Sequence, residues 1–408
     1  MPSLKSCLRN QLTSKEHKHI GDYGWGIILC VIILCCIGMW AVYYACLHDL
    51  KVIDPVRTTM MQCLWYLVGA LIATTMLHLS EKQLMQWAPI GYSIGMLLLI
   101  LLLVFYSREY YVQTGAKSWF AIGTLTFQPV EVMKPLYILM MGRLIVQDQQ
   151  WGPHNNFNAD WRLTRRLVIY TFPIIVALKI INDFGTTLVF LTIFIGMLIV
   201  SPCRFSFLWR VLLVAGSIGV VLILLATSST GQSLLSHIGF KLYQFDRINT
   251  WLNPSNGVSD QSYQLWQSMR AVGVGGLTGN GVTHNAVYVP VRESDMIFSV
   301  VGETTGLIGC SVLLIVYMYL FYLIFRSAFA SRRRFYVYVS TGVAVMLAFH
   351  MFENIGMTIG LLPLTGIPLP FVSQGGSAII GDFMGVGLVL ATQYPNVRSI
   401  FSVPRIFH

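Results

Sequence analysis

Long apolar runs alternate with short polar connections along this chain. The runs fall at residues 24–46, 62–79, 88–106, 130–147, 166–182, 184–201, 207–227, 296–325, 336–359 and 375–393. A helix needs about 20 apolar residues to cross a bilayer, so the pattern predicts an all-α polytopic membrane protein with ten transmembrane helices. Residues 1–20 read as a basic polar tail, 21–395 as the ten-helix membrane domain and 396–408 as a C-terminal tail. Spans four to six are broken by Lys134 and Pro135, Pro173 and Asp183, which blurs their boundaries. The connection over 228–295 is much longer than the others. It is polar and rich in Gly and Ser, and it contains an amphipathic piece, YQLWQSMRAVGVGGL.

Composition strengthens this reading. The chain is 55% hydrophobic and only 11% charged, with a mean hydropathy of +0.65, whereas a soluble domain carries about a quarter charged residues. The formal net charge of +10 is therefore to be read loop by loop, and it does not point to nucleic acid. With the N-terminus inside, seventeen of the 27 Lys and Arg residues fall on the inner side and eight on the outer, with Lys134 and Lys179 within spans. Basic residues favour the cytoplasmic side, so both termini are expected in the cytoplasm and 228–295 outside. The first apolar run is too long for a signal-peptide core and reads as a retained anchor. The eight cysteines lie mostly in apolar runs without a CxxC pair, and the nine histidines show no ligand spacing. No protein metal centre is expected from them.

Four polar islands carry the candidate chemistry, because charge at membrane depth is expensive. In YVPVRESDMIFSVVGE, residues 288–303, Asp295 sits where a polar segment meets the start of a span. Burial would raise its pKa and Arg292 would lower it, which suits proton transfer; a helix cap is the competing reading. In FQPVEVMKP, Glu131 and Lys134 share a helix face as an ion pair, catalytic or structural. In NDFGT, Asp183 either binds a cation or caps the next span. The stretch ENIGMTIGLLPLTGIPLPFVSQGGS, residues 353–377, holds too many Gly and Pro residues for a continuous helix. Non-helical backbone at that depth requires a cavity or protein around it. Glu303 and Asp382 are further buried acids that read as packing partners. GVGGLTGNG lacks the ending of a nucleotide loop and reads as tight turns beside a ligand.

These stretches together resemble the SEDS family (shape, elongation, division and sporulation), which includes RodA, FtsW and SpoVE. GIPLPFVSQGGS after NIGMTIGLLP is similar to the family's C-terminal signature, and FQPVEVMK to its FQP stretch. NDFGT is similar to its P-D-x-G-T turn, and PVRESDMIFSVVGETTGLIG to the segment with its essential aspartate. The likeness runs in order over about residues 20–395, and GIPLPF is closer to the RodA pattern. Val130, Asn182 and Gln374 stand where Ser, Pro and Tyr are usual, and Asp382 lies in a region usually less acidic.

The resemblance implies a peptidoglycan glycosyltransferase of the bacterial plasma membrane. Such an enzyme polymerises lipid II and undecaprenyl-diphosphate-linked glycan beside a class B penicillin-binding protein. Asp295 then matches the essential aspartate and is expected to be the general base. Glu131, Lys134, Asp183, Gln264, Ser268 and Ser373 match the family's polar positions, and Pro368, Pro370, Gly375 and Gly376 its signature. Cationic help for the leaving diphosphate is expected from Arg292, Arg270, Lys117 or a divalent cation, Mg2+ or Mn2+. A lipid-linked precursor flippase and a non-catalytic scaffold are the rival classes.

Overall fold

The computed structural model describes residues 3–49, 54–123, 125–237, 242–252, 254, 260–282, 286–331 and 333–392. The C-terminal tail from 396 lies outside them, as do Lys51 and Lys241. Ten long helices follow the ten apolar runs in order: α1 Ser3–Leu47, α2 Pro55–Leu77, α3 Glu81–Phe105, α5 Pro129–Gln149, α6 Phe157–Ile181, α7 Phe184–Val200, α8 Phe205–Thr227, α12 Ile297–Ala330, α13 Arg334–Thr358 and α14 Gly376–Ala391. Six of them are long and apolar enough to cross a membrane by length and composition, and α7 and α14 are shorter apolar helices. The protein is an all-α integral membrane protein. Among the described residues the sheet content is one small antiparallel hairpin, β1 Phe120–Ile122 and β2 Leu125–Phe127, which follows the short helix α4 Arg108–Thr114.

Helix ends are set by local chemistry that hydropathy does not report. α2 begins at Pro55, well before the apolar run at 62, because Asp54 accepts hydrogen bonds from the amides of Val56 (3.0 Å) and Arg57 (3.2 Å) and Pro55 suits the first helical position. Ser80 and Gln83 form a capping box at the start of α3. α6 starts nine residues earlier than its apolar run, through a polar first stretch holding Asp160, Arg162, Arg165 and Arg166. The basic tail is continuous with α1 as helix from Ser3.

α5, α13 and α14 form the centre, buried on nearly all sides. α3 and α14 pack on α5, α2 on α14, and α1 on α12. α8 differs: its buried residues are Phe207, Leu208 and Ala226, and the rest of its apolar surface faces outward. The long connection is largely folded, as α9 Ser229–His237, α10 Leu242–Leu252 and α11 Asp260–Val274. After α11 the chain turns tightly, with Gly276, Gly279 and Gly281 at positive φ, and Gly275 and Gly279 allow close backbone approach to α12. Gly279 packs on the Thr304 carbonyl, and Leu307 N donates to Gly276 O (2.9 Å) where α12 breaks at Gly306 (φ 62°). A side chain at Gly279 would collide with that backbone.

Candidate active site

Asp295 lies two residues before α12. The N-cap position belongs to Met296, and no side-chain bond caps the helix, so the carboxylate is not consumed by capping. Ser294 Oγ donates to Asp295 Oδ1 (3.1 Å). The side chain is half-buried. Burial pushes its pKa up to about 6, with the Ser294 hydroxyl opposing, Glu293 adding to the rise and the Arg247 guanidinium opposing it. A carboxyl in that range can take a proton at neutral pH and release it again.

The signature segment holds this residue in place through backbone hydrogen bonds. Three consecutive carbonyls are engaged: Glu293 O by Gln374 N (2.9 Å), Ser294 O by Ser373 Oγ (2.6 Å), and Asp295 O by Asn354 Nδ2 (2.8 Å). Asn354, buried on α13, also donates to Ile367 O (2.8 Å). It therefore ties the acid to the signature, and its loss would leave the buried Ile367 carbonyl and the half-buried Asp295 carbonyl without these bonds. Gly366 (φ +78°) faces the carboxylate, and a Cβ there would stand 3.2 Å from Asp295 Oδ2. The left-handed backbone and the absent side chain together leave room at the acid.

Behind the signature, Phe371 adopts φ 61°, a conformation a bulky residue enters only when held there. Its amide donates to Asp382 Oδ2 (3.3 Å), and its carbonyl accepts from Tyr66 Oη (2.7 Å). Asp382 thereby acts as a fastener for the signature turn. His350 Nδ1 stands 4.0 Å from Asp382 Oδ1, and His350 Nε2 is 3.0 Å from Lys134 Nζ. Lys134 pairs with Glu131 Oε1 (2.7 Å). All four side chains are buried. The Glu131–Lys134 pair is thus one end of a polar chain crossing α5, α13 and α14.

The other expected residues fall into place around this core. Asp183 caps α7 through Thr186 N (3.1 Å) and accepts from Ser118 Oγ (3.0 Å). Gly185, two residues on, abuts Thr365 and Ile367 of the signature. Asn182 takes a left-handed φ of 68°, which asparagine tolerates and proline cannot reach, so the chain turns differently here from a proline-containing turn. Lys117 lies beside that turn, its amide on Ile181 O (2.8 Å) and its ammonium 4.8 Å from the Tyr106 ring centre. On α11, Gln264 donates to Pro290 O (3.1 Å) and braces the segment leading to Asp295, while Ser268 donates to Thr358 O (2.7 Å) at the end of α13. Arg270 is exposed and bonded to Gln267 (3.1 Å).

Arg292 turns away from Asp295. It is buried, pairs with Glu303 and donates to Ser299 O (3.1 Å). Glu303 also accepts from Ala286 N (2.7 Å) and Val287 N (3.1 Å). The cation whose charge acts on Asp295 is Arg247 of α10 instead, with Nη1 3.5 Å from Thr365 O. Nothing in the spacing of the long connection marks Arg247. His350 is equally silent, alone in an apolar run, whereas Asn354 opens the NIGMTIGLLP stretch of the Gly- and Pro-rich polar island.

The sequence profile of the FtsW, RodA and SpoVE family, described as cell cycle protein, matches residues 25–396. The chain belongs to this family. Among its curated members, peptidoglycan glycosyltransferase MrdB of Escherichia coli K12 is 31% identical over 79% of this chain and 82% of its own length. The probable peptidoglycan glycosyltransferase FtsW of Thiomicrospira cyclica is 30% identical over 80% of each. Stage V sporulation protein E of Bacillus subtilis is 28% identical over 89% of this chain and 95% of its own. Two solved structures share the fold. One is a chain from work on coordinated polymerization and crosslinking by a peptidoglycan synthase complex, with TM-score 0.71, 26% identity and coverage of 92% and 98%. The other is the rod shape determining protein RodA of Thermus thermophilus, with TM-score 0.63, 26% identity and coverage of 90% and 96%.

Proposed function

We infer that the Asp295 carboxylate is the general base of a glycosyl transfer. The chain is a peptidoglycan glycosyltransferase, as its FtsW and MrdB relatives are named. The observation that carries the role of Asp295 is a half-buried carboxyl left unspent by helix capping, whose backbone is pinned on three successive carbonyls. In polymerisation of lipid II, the 4-hydroxyl of an acceptor N-acetylglucosamine attacks the anomeric carbon of a second chain. Asp295 takes the hydroxyl proton as the new C–O bond forms. The bond to the undecaprenyl diphosphate breaks, and the diphosphate leaves with the electron pair. A positioned base contributes about 10²–10⁴-fold to such a step.

Charge on the leaving diphosphate needs a counter-charge. Arg247 is the guanidinium best supported for it, since its charge already acts on Asp295. Mg2+ commonly takes one or two carboxylates and completes its shell with phosphates and water. Glu293, whose charge acts on Asp295, would be the carboxylate to hold it, and the ion would supply electrophilic help to the diphosphate while Asp295 stays free as the base.

The outer face of the plasma membrane is the side we assign to Asp295, from the distribution of basic residues. A class B penicillin-binding protein is the partner we assign, supported by the likeness to a chain of a polymerising and crosslinking complex. The RodA-type role in elongation rests on GIPLPF alone, because FtsW, MrdB and SpoVE relatives match at comparable identity. Labelled lipid II incubated with the purified protein, with and without that partner and with β-lactam to silence crosslinking, tests the reading. Glycan ladders are expected. Transbilayer movement of lipid II in liposomes with no polymer would favour a flippase instead.

A further inference from the structure

α5 carries a second group of ionisable side chains at its opposite end. Asp148 follows Glu131 by seventeen residues, about 25 Å along the axis at 1.5 Å per residue. There Asp148, His154, Asp160 and Cys203 are all buried. They come from the end of α5, the connection after it, the start of α6, and the connection between α7 and α8. His154 Nδ1 stands 3.0 Å from Asp160 Oδ1, and Nε2 stands 3.0 Å from Asp148 Oδ2. One ligand atom each from His154, Asp160 and Cys203 lies within 4.8 Å of the others.

We propose that His154, Asp160 and Cys203 form a zinc(II) site at the end of the bundle opposite Asp295. An imidazole nitrogen, a carboxylate oxygen and a thiolate suit Zn2+, whereas Mg2+ and Ca2+ take oxygen donors. The surroundings supply the outer support that such sites use to orient their ligands. The Asp148 carboxylate lies at the ring nitrogen that would face away from the ion. Arg204 Nε donates to Asp160 Oδ2 (2.8 Å), leaving Oδ1 toward His154. Asp148 is itself held by Arg162 Nε (3.1 Å).

His154 Nε2 is buried with no aligned hydrogen bond despite its nearness to Asp148. The ring keeps Nε2 at Asp148 and presents Nδ1, on the Asp160 side, to an ion. A cleft of about 660 Å³, lined by Trp151, Pro153, Asn155 and Arg162, opens beside the connection that carries His154.

When Zn2+ binds, the Cys203 S–H bond breaks, the sulfur keeps the electron pair as the ligand, and the proton leaves to solvent. No redox step is involved. The ion would clamp the α5–α6 connection to the α7–α8 connection, and so fix the start of α8, which otherwise has few buried residues. The site is independent of the proposed chemistry at Asp295.

The test uses the full-length protein in detergent, stripped with chelator and titrated with Co2+ and Zn2+. Expected are one tightly held ion per chain and a near-ultraviolet thiolate-to-Co2+ absorption band. Cys203→Ser should abolish the band, and Asp148→Asn should weaken Zn2+ affinity by about 10–100-fold. Cys310→Ser, a cysteine remote from the cluster, should leave both unchanged. Wild-type protein that develops no thiolate band overturns the proposal, whatever the variants do. So does a Cys203→Ser protein that keeps wild-type Zn2+ affinity.

Discussion

Ser373 Oγ donates a 2.6 Å hydrogen bond to the carbonyl of Ser294, the residue immediately before Asp295. The same hydroxyl accepts from Leu369 N (2.8 Å), so one serine closes the signature turn and pins the segment carrying the acid. Ser373→Ala leaves a buried amide and a half-buried carbonyl unpaired, a loss of about 1–3 kcal/mol for the amide and less for the carbonyl. Expected is a fall of at least about tenfold in lipid II polymerisation, since about 1.4 kcal/mol of misplacement already costs tenfold in rate. Ser373→Thr, which keeps the hydroxyl, should recover part of it. Polymer yield from detergent-purified variants measures both.

Asn354 makes the corresponding link from α13, to Asp295 O and Ile367 O. Asn354→Leu removes both bonds while keeping volume. Activity should drop at least as far as in Ser373→Ala, and the melting temperature should fall. An unchanged turnover number would show that the carbonyl clamp does not position the acid.

The pH dependence follows from the raised pKa of Asp295, about 6. A base acts when deprotonated, so polymerisation should fall as pH drops through about 6. Stability runs the other way. The folded state binds this proton more tightly than the unfolded chain, whose carboxyl titrates near the ordinary value of about 3.9. The carboxylate therefore destabilises the fold above about pH 6, and that penalty fades as pH falls from 6 toward 4. Asp295→Asn should raise the melting temperature at pH 8 and lose that advantage near pH 4. Differential scanning fluorimetry across pH reads this directly.

Buried charge pairs give a fourth expectation. Removing one partner strands the other, typically at about 3–5 kcal/mol. Lys134→Met should therefore destabilise strongly, because Glu131 keeps its place beside Gly381 and loses its 2.7 Å partner. The double variant Glu131→Gln/Lys134→Met should be milder than the Lys134 variant alone. Thermal unfolding of wild type, Glu131→Gln, Lys134→Met and the double variant in the same detergent gives the coupling.

The helical architecture was legible because ten apolar runs leave few alternatives to ten helices. Their ends were less legible. The polar first turns of α2 and α6 lower hydropathy without breaking the helix, so caps such as Asp54 decide the boundary. Asp295 and Ser373 could be found because both sit in motif-bearing stretches. Arg292 drew attention as the cation adjacent in sequence, but a three-residue offset at a helix start points it toward Glu303. Arg247 and His350 reach the site through tertiary packing alone, from α10 and α13, and no local pattern announces them; Asn354 lies in the NIGMTIGLLP stretch, but its bonds to Asp295 O and Ile367 O depend on the packing of α13. The gathering of His154, Asp160 and Cys203 was hidden for the same reason, since Cys203 is more than forty residues from the other two.

The most direct measurement of the role assigned to Asp295 is lipid II polymerisation by Asp295→Asn beside wild type, with lipid II binding measured on the same preparations. Expected is a fall in turnover of about 10²–10⁴-fold with binding affinity essentially retained. Asparagine at 295 supporting polymerisation within a few fold of wild type would contradict it.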